Sequence, residues 1–430
     1  MLGAIGILTI VFILCLLINI PIAIALAISA LTVVLIEGTI PISFLIQATF
    51  TSNDSFSLLA VPFFILAGEL MSTGGISRRL IDFFKSMVGS WTGSLGLITI
   101  LASLIFAAIS GSGAATVASI GGIMIPHMIN SGYKKPYAAA LTASAGALGP
   151  IIPPSIVFIF YGIMAGVSIS DLFIAGIVPG LLIAVILIII NYIVCKKEGY
   201  VDQQPEEEKI GFWRSLNEAK FGLLAPIIIL GGIYGGIVTP TEAAVVAVVY
   251  SLIVSIFIYK ELRFSDLMDV FLKAAVTSGS VMIFVGTATF FGKILTLEQV
   301  PQYIANGISD FTTNPIIVLV LINLFLLVVG MFIETVAALL IFVPLLLPIV
   351  IPLGVDPLHF GMIVCFNLTL GLLTPPLGLN LFIGAKVANI RFEETFKHLT
   401  PILVALLILL GVITFVPQLT LFLPELLSSK

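Results

Sequence analysis

The sequence predicts an all-α, polytopic membrane protein built from two inverted repeats, each with a re-entrant helical hairpin and a broken transmembrane helix. Of the 430 residues, 60% are hydrophobic and 9% are charged, which leaves more apolar surface than a water-soluble core can bury. Apolar runs of about 20 residues, the length of one helical crossing, fill most of the chain. A stretch rich in glycine and proline occurs twice, and this duplication predicts the two repeats.

The two copies of this stretch match at one constant separation, 222 positions (375 − 153 = 222). The matched pairs are Pro126 and Pro348, Gly132 and Gly354, Gly149 and Gly371, Pro153-Pro154 and Pro375-Pro376, Gly162 and Gly384, and Pro179 and Pro401. Because glycine and proline interrupt helices, this agreement indicates a duplicated unit whose helices break at equivalent positions.

Residues 1–195 are expected to form the first repeat, with scaffold spans over residues 1–90. The turn signal Asn19-Ile20-Pro21 divides the first apolar run into two spans. A polar loop is expected through Thr51-Ser52-Asn53-Asp54, before a further span and a basic segment at the membrane surface.

The hairpin and the broken helix of the first repeat are expected within residues 91–166. Two apolar helices meet at Ser110-Gly111-Ser112-Gly113, and the flanking basic residues fit either a re-entrant hairpin or two full crossings. The next two apolar segments are each too short to span at about 1.5 Å per residue, and Gly149–Pro154 lies between them. This pattern predicts one crossing that is broken at mid-membrane, followed by a span over 172–194.

A polar linker over residues 196–220 precedes the second repeat, residues 221–430. The second repeat follows the same plan, with scaffold spans over 221–297, a hairpin and a broken helix over 312–388, and a last span over 399–423. The linker has the composition of a soluble segment, and we interpret it as a cytoplasmic connection between the halves.

Basic residues predict the orientation. This topology places 16 of the 18 Lys and Arg residues on one face, which the positive-inside rule assigns to the cytoplasm. They are Arg78, Arg79, Lys85, Lys134, Lys135, Lys196, Lys197, Lys209, Arg214, Lys220, Lys260, Arg263, Lys273, Lys386, Arg391 and Lys397. The first hairpin then enters from the cytoplasm, the second enters from outside, and both termini lie outside. Oppositely oriented halves with broken helices are typical of transporters that expose one central site to each side in turn.

The hairpin tips and the helix breaks carry the candidate chemistry. Helix starts after Ser112 and after Pro153-Pro154 present N–H groups and a partial positive charge, which suit an anion such as a carboxylate. Carbonyl oxygens freed within 149–153 and 371–375 suit a hard cation such as sodium. Neutral oxygens are added by Ser110, Ser112, Thr116, Ser155, Thr335, Thr374 and Asn380. The alternative for any one of these residues is helix packing, or a hydroxyl bonded to its own helix.

Two glutamates stand out in the apolar background. Glu334 lies at the second hairpin tip, near Gly330–Thr335, where an ionisable residue is costly and is a candidate helix cap, ion site or proton site. Glu242, in Thr239-Pro240-Thr241-Glu242, indicates a capping motif at a helix start, and the alternative is a role in an ion site.

Other functional classes lack their motifs. A net charge of −4 without a basic tract argues against nucleic acid as a partner. The sequence contains no nucleotide-binding loop, no nucleophile beside its base and no paired catalytic carboxylates, so the chain is not expected to be an enzyme. Energy for transport must then come from an ion gradient or from another subunit.

Four stretches of the chain resemble the large membrane (DctM-type, M) subunit of tripartite ATP-independent periplasmic (TRAP) transporters. They are FFILAGELMSTGGISRRL at 63–80, SGSGAATVASIGG through AGALGPIIPPS at 110–155, TPTEAAVVAVVY at 239–250, and GMFIET with NLTLGLLTPPLGLNLF at 330–382. The resemblance covers nearly the whole chain. It implies a sodium-coupled importer of an organic acid in the bacterial inner membrane, with sialic acid preferred over a C4-dicarboxylate.

The resemblance also implies two protein partners and a mechanism. The partners are a small membrane subunit (Q type) and a periplasmic substrate-binding protein (P type). The mechanism is the elevator motion of the ion-transporter superfamily, in which the hairpins and broken helices move as a block against a scaffold in the lipid bilayer.

The resemblance further implies positions for the substrate and for two sodium ions, its only cofactors. The substrate residues are Ser110, Ser112, Thr116, Ser155, Glu334, Thr335 and Asn380. The first sodium site comprises Ser110, Ser112, Gly113, Gly149, Ile152 and Pro153. The second comprises Gly330, Phe332, Thr335, Gly371, Thr374 and Pro375. Where this chain has Glu334, many relatives have Asp.

Two alternatives stay open at this point. A self-sufficient ion-coupled dicarboxylate carrier or antiporter would transport its substrate when reconstituted alone. A membrane-embedded enzyme should show polar catalytic residues that converge at one depth, and a channel should lack inverted broken repeats.

Overall fold

The computed structural model describes residues 2–38, 41–89, 91–200, 211–312 and 314–428, which form twenty α-helices joined by turns and short 3-10 or π segments. Those of the first half are α1 (Leu2–Leu17), α2 (Ile22–Glu37), α3 (Ile42–Asn53), α4 (Ala60–Thr73), α5 (Ile76–Val88), α6 (Ser94–Ser110), α7 (Gly113–Asn130), α8 (Lys135–Ala145), α9 (Ile156–Ala165) and α10 (Ile169–Glu198). Those of the second half are α11 (Phe212–Tyr234), α12 (Pro240–Ile253), α13 (Leu267–Leu297), α14 (Val300–Phe311), α15 (Pro315–Phe332), α16 (Thr335–Val350), α17 (Pro357–Gly371), α18 (Leu379–Ala388), α19 (Phe396–Phe415) and α20 (Gln418–Ser428).

The helical membrane class predicted from the sequence is confirmed. Within the described ranges, eight helical segments are long and apolar enough to cross a membrane, as judged by length and composition. Six of them coincide with α10, α11, α13, α15, α16 and α19 and their flanking turns, and the other two contain α4 and α12.

Each hairpin turns where the sequence supplies a helix stop followed by a cap. In the first, α6 ends at Gly111, whose left-handed backbone (φ 59°) favours glycine, and Ser112 accepts a hydrogen bond from the Ala115 N–H at the start of α7. In the second, α15 ends at Phe332, and Glu334 caps α16 through its side chain.

Each hairpin is followed by a helix that is broken near its middle. The helix α8 has 11 residues and α9 has 10, so each falls well short of the roughly 20 residues needed to cross. Helices α17 and α18 are separated in the same way. Both breaks contain a Pro-Pro pair with a cis peptide bond, Pro153-Pro154 and Pro375-Pro376.

The hairpins and broken helices of the two halves pack into one block, which we call the hairpin block. Helix α18 packs on α7 and α8, α16 packs on α9, and α15 packs on α17. The Tyr161 hydroxyl of α9 donates to the Pro357 carbonyl at the start of α17, and Gly361 leaves room for the Tyr161 ring. Buried aromatic side chains, including Phe158, Phe360 and Phe366, fill its interior.

The other helices pack around this block. Helix α4 packs on α12, α5 packs on α11, and α13 contacts α2, α3 and α4. We call α1–α5 and α11–α13 the scaffold. The scaffold contacts the hairpin block chiefly where α5 and α4 pack on α6 and where α13 packs on α16.

Three details differ from the sequence expectations. The predicted loop at Thr51–Asp54 is wrong, because α3 continues to Asn53 and the Thr51 and Ser52 hydroxyls donate to carbonyls of their own helix. The single last span over 399–423 is also wrong, because the chain leaves the helix at Val416-Pro417 and starts α20 at Gln418.

The expected linker over 196–220 is helical at both ends, since α10 continues to Glu198 and α11 begins at Phe212. Its central residues, 201–210, lie outside the described residues. The polar residues at 196–198 and 212–220 belong to helix ends.

Candidate functional site

The first hairpin tip brings its predicted hydroxyl groups together. The Ser110 Oγ lies 3.2 Å from the Thr116 Oγ1, and the Thr116 hydroxyl donates to the Ser112 carbonyl at 2.8 Å. Ser110 and Thr116 are buried, whereas Ser112 is partly exposed. The neutral Ser112 side chain caps α7 and leaves the partial positive charge of this helix start uncompensated.

The first break lies directly against the first tip. A Cβ atom on Gly149 would overlap the Ser112 carbonyl group and lie 2.6 Å from the Gly113 nitrogen, so only glycine allows this backbone contact. A Cβ atom on Gly111 would lie 2.7 Å from the Pro154 carbonyl oxygen. The first hairpin tip and the first helix break are therefore in direct backbone contact and form one continuous surface.

Ser155 and the carbonyl oxygens of the first break complete this surface. The buried Ser155 hydroxyl donates to the Pro150 carbonyl and caps α9 by accepting from the Phe158 N–H at 3.3 Å. The carbonyl oxygens of Gly149, Ile152 and Pro153 accept no hydrogen bond from any described residue. Such buried acceptors require a partner from outside the chain's own backbone.

Asn380 joins the first tip, although it follows the second break in the sequence. Its side chain is fully buried, and it lies next to the backbone of Gly113 and Gly146. The Asn380 Nδ2 donates to the Ala143 carbonyl at 3.4 Å, and its Oδ1 has no partner among the described residues. The second half of the chain thus supplies a polar group to the first tip.

The second tip has a different chemistry. The Glu334 Oε2 accepts from the backbone N–H groups of Val336 and Ala337 at 2.9 and 3.2 Å, so the carboxylate caps α16. Phe332 and Glu334 are exposed, whereas Thr335 is buried and its hydroxyl has no partner among the described residues. Glu334 therefore places a negative charge on the positive end of a helix dipole.

The second break contacts the second tip through paired glycines, as the first does through Gly149. A Cβ atom on Gly330 would lie 3.1 Å from the Gly371 Cα, and one on Gly371 would overlap the Gly330 carbonyl group. The Thr374 hydroxyl donates to the Leu370 carbonyl at 2.7 Å. The carbonyl oxygens of Thr374 and Pro375 accept no hydrogen bond from the described residues.

Of the first predicted sodium set, Gly149 lies against Ser112 and Gly113, and of the second, Gly371 lies against Gly330. The predicted substrate set is divided: Ser110, Ser112, Thr116, Ser155 and Asn380 surround the first tip, whereas Glu334 and Thr335 belong to the second. The predicted capping role of Glu242 is confirmed, since its carboxylate accepts from the Thr239 N–H at 2.8 Å while the Thr239 hydroxyl caps α12.

Sequence reasoning missed the scaffold residues that cover the first tip. A Cβ atom on Gly68 of α4 would lie 3.4 Å from the Ser110 Cα, and the Ser72 and Ser119 hydroxyl oxygens are 2.6 Å apart. Gly68 and Ser72 are four residues apart on one helix face. This small-residue spacing, common where membrane helices approach closely, is the signal that could have revealed the contact.

Comparison with known proteins identifies the family. The family described as "Tripartite ATP-independent periplasmic transporter, DctM component" matches residues 9–419, nearly the whole chain. This chain belongs to the DctM family. Its members are components of a transporter, which agrees with the predicted class.

Several relatives are similar over most of this chain. The isethionate TRAP transporter permease protein DctMQ of Oleidesulfovibrio alaskensis is 45% identical over 96% of this chain, which spans 65% of that relative's length. The sialic acid TRAP transporter large permease protein SiaM of Vibrio cholerae is 40% identical, covering 94% of this chain and 95% of SiaM. The C4-dicarboxylate permease DctM of Pseudomonas aeruginosa is 42% identical over 89% of both chains.

Solved structures support the DctM fold at greater evolutionary distance. The YdaH transporter of Alcanivorax borkumensis superposes with a TM-score of 0.56 at 13% identity, over 87% of this chain and 88% of YdaH. MtrF of Neisseria gonorrhoeae superposes with a TM-score of 0.57 at 14% identity, over 86% of this chain and 84% of MtrF. At this identity the likeness concerns the fold alone.

Proposed function

We propose that this DctM-family chain imports an organic acid anion together with sodium ions, as the large membrane subunit of a tripartite transporter. The observation that carries the proposal is the pair of tip and break contacts, each of which leaves backbone carbonyl oxygens without hydrogen bonds. Relatives are named for isethionate, sialic acid and C4-dicarboxylates. All three ligands carry a carboxylate or sulfonate group, and sialic acid is our preferred substrate.

Sodium fits the unpaired oxygens at both breaks. Hard cations are bound in proteins by carbonyl, hydroxyl and carboxylate oxygens. The first set offers the carbonyls of Gly149, Ile152 and Pro153 beside the Ser110 and Ser112 hydroxyls. The second offers the carbonyls of Gly330, Phe332, Thr374 and Pro375 beside the unpaired Thr335 hydroxyl.

The substrate anion fits the first tip better than the second. The helix starts of α7 and α9 meet there under the neutral caps Ser112 and Ser155, so their partial positive charges are free to attract an anion. Asn380 adds an unpartnered amide oxygen for a hydroxyl or amide donor of the substrate. At the second tip the Glu334 carboxylate repels an anion.

The hairpin block and the scaffold are the two bodies of the proposed elevator. We infer inverted halves, a cytoplasmic basic face and periplasmic termini from the positive-inside rule. A periplasmic binding protein (P type) delivers the substrate in this proposal. A separate small membrane subunit (Q type) completes the scaffold, consistent with the greater length of the relative named DctMQ.

Uptake into proteoliposomes tests the proposal. Labelled sialic acid, isethionate and succinate are offered to vesicles that contain this chain and its small subunit, with the binding protein outside. Omitting sodium, the binding protein or the small subunit in turn should each abolish uptake. Uptake that persists with this chain alone would instead establish the self-sufficient carrier or antiporter, and uptake that ignores sodium would overturn the coupling.

A further inference from the structure

A second polar cavity lies at the far end of α18, away from the tips and breaks. It has a volume of about 670 Å³ and forms where the chain leaves α18 and turns towards α19. Its lining combines two basic side chains, Lys386 and Arg391, with the aromatic rings of Phe382 and Phe392. We call it the α18 cavity.

The local sequence brings the two basic side chains to one place. Phe382 and Lys386 are one helical turn apart and both are exposed, so they share the open face of α18. Asn389 adopts a left-handed backbone (φ 52°), which asparagine tolerates better than most residues, and this reverses the chain. Arg391 then follows at the start of the next helical turn, beside Lys386 in the same cavity.

Neither cation is used by the fold. The last carbonyls of α18 accept from the backbone N–H groups of Asn389 and Ile390, so Lys386 is not needed to cap the helix. Within the described ranges, the side chains of Lys386 and Arg391 form no ion pair. Glu393 also lines the cavity, and the Glu394 carboxylate accepts from the Arg391 backbone N–H at 2.9 Å, so two carboxylates lie near the two cations.

The cavity has the composition of a site for an organic anion. Two unpaired cations attract a carboxylate or sulfonate group, and Arg adds a planar fork of donors that matches either group. The rings of Phe382 and Phe392, whose centroids are 5.9 Å apart, offer an apolar floor for the carbon skeleton. A simple inorganic anion would gain nothing from the rings.

We propose that the α18 cavity is a second subsite for the transported organic acid, on the open face of α18. Asn380 and Lys386 are six residues apart on this helix, a rise of about 9 Å, but they lie on different faces, because Asn380 is buried beside Gly113 and Gly146 whereas Lys386 is exposed. The identity of the ligand rests on the proposed function, whereas the presence of an anion site rests on the cavity alone. The alternative is that Lys386 and Arg391 serve only to orient the protein in the membrane.

Thiol labelling measures binding at this subsite without requiring transport. Ile390→Cys places a thiol in the lining at a partly exposed position to which no ligand contact is assigned, and the native Cys15, Cys195 and Cys365 are all buried. In phosphatidylcholine nanodiscs, sialic acid, isethionate or succinate should slow labelling by a neutral maleimide in a saturable manner, relative to chloride at equal ionic strength. Adding Lys386→Gln and Arg391→Gln should raise the half-protecting concentration roughly fivefold, the size of two exposed charge interactions.

Lys397→Gln is the matched control, because Lys397 is an exposed cation of the same predicted face that does not line the cavity. It should leave protection unchanged.

No protection by the organic acids, equal protection by inorganic phosphate, or protection only when phosphatidylglycerol is added to the nanodiscs would each overturn the subsite. Protection without sodium-dependent uptake would refute the proposed function and leave an anion site. Uptake without protection would refute the subsite alone.

Discussion

The two hairpin tips share a backbone plan but differ in their surroundings. Both meet their break through glycines that exclude a side chain, Gly149 at the first and the pair Gly330 and Gly371 at the second. Every residue of the first break is buried, and Gly68 of the scaffold covers the first tip. At the second tip Phe332 is 55% exposed. The two tips thus share a backbone arrangement, while their side chains give each tip its own environment.

The tips differ most in their electrostatics. Ser112 caps α7 without charge, whereas Glu334 caps α16 with a carboxylate. A charge at a helix start offsets the partial positive charge of the helix dipole, and a hydroxyl does not. We infer a division of labour, in which the first tip attracts the substrate anion beside its neutral sodium set, and the carboxylate of the second tip strengthens the attraction for a cation there.

The largest effect should come from removing the feature that the tips share. Gly149→Val or Gly371→Val forces side-chain atoms into the facing backbone, which should abolish uptake and destabilise the protein by about 3 kcal/mol. Gly122→Ala is the control, because a Cβ there meets no atom within 4 Å. Uptake and thermal unfolding of the purified protein are measured together. Normal uptake by either valine variant would refute the tight tip and break contact.

A reversible disulfide tests whether the first hairpin must move past α4 during transport. The contact to be cross-linked joins Ser72 of α4 to Ser119 of α7, the second helix of that hairpin. Because those hydroxyl oxygens are 2.6 Å apart, Ser72→Cys with Ser119→Cys should form a disulfide on oxidation. If the hairpin block must move past α4, oxidation should abolish uptake and a reductant should restore it. Each single cysteine variant is the control. Full uptake by the oxidised, cross-linked protein would rule out this movement.

A smaller effect should come from Glu334, the feature that is special to the second tip. Glu334→Gln keeps an oxygen that can cap α16 but loses the charge. We expect the sodium concentration for half-maximal uptake to rise about tenfold, or about 1.4 kcal/mol in binding free energy. Glu334→Asp should retain most of the sodium affinity. An unchanged sodium dependence in Glu334→Gln would reduce Glu334 to a structural cap.

The sequence alone predicted those features of the structure that depend on local backbone chemistry. The hairpin turns and both broken helices follow from glycine and proline, and the caps at Glu242 and Glu334 follow from residues beside helix starts. Tertiary packing is a different matter. Only the family resemblance grouped Asn380 with the residues of the first tip, because α18 lies on α7 and α8 and nothing in the neighbouring sequence encodes that packing.

Polar composition also misled where side chains bond to their own helix. Thr51 and Ser52 donate to carbonyls one turn earlier, which lets α3 continue through a stretch that predicts a loop. The sequence did not predict the contact between Gly68 and Ser110, for a different reason. A glycine on a helix face shows only that a close approach is possible, and the partner is set by the packing of α4.

The division of labour between the tips is tested most directly by adding a charge to the first one. Aspartate caps a helix as well as serine, so Ser112→Asp should fold normally. In sodium-driven uptake, Ser112→Asp should raise the KM for the transported acid about tenfold. It should not raise the half-maximal sodium concentration, because the added carboxylate lies beside the first sodium set, whereas Glu334→Gln should raise that concentration. An unchanged KM in Ser112→Asp, or a raised half-maximal sodium concentration in both variants, would contradict the assignment of the anion to the first tip.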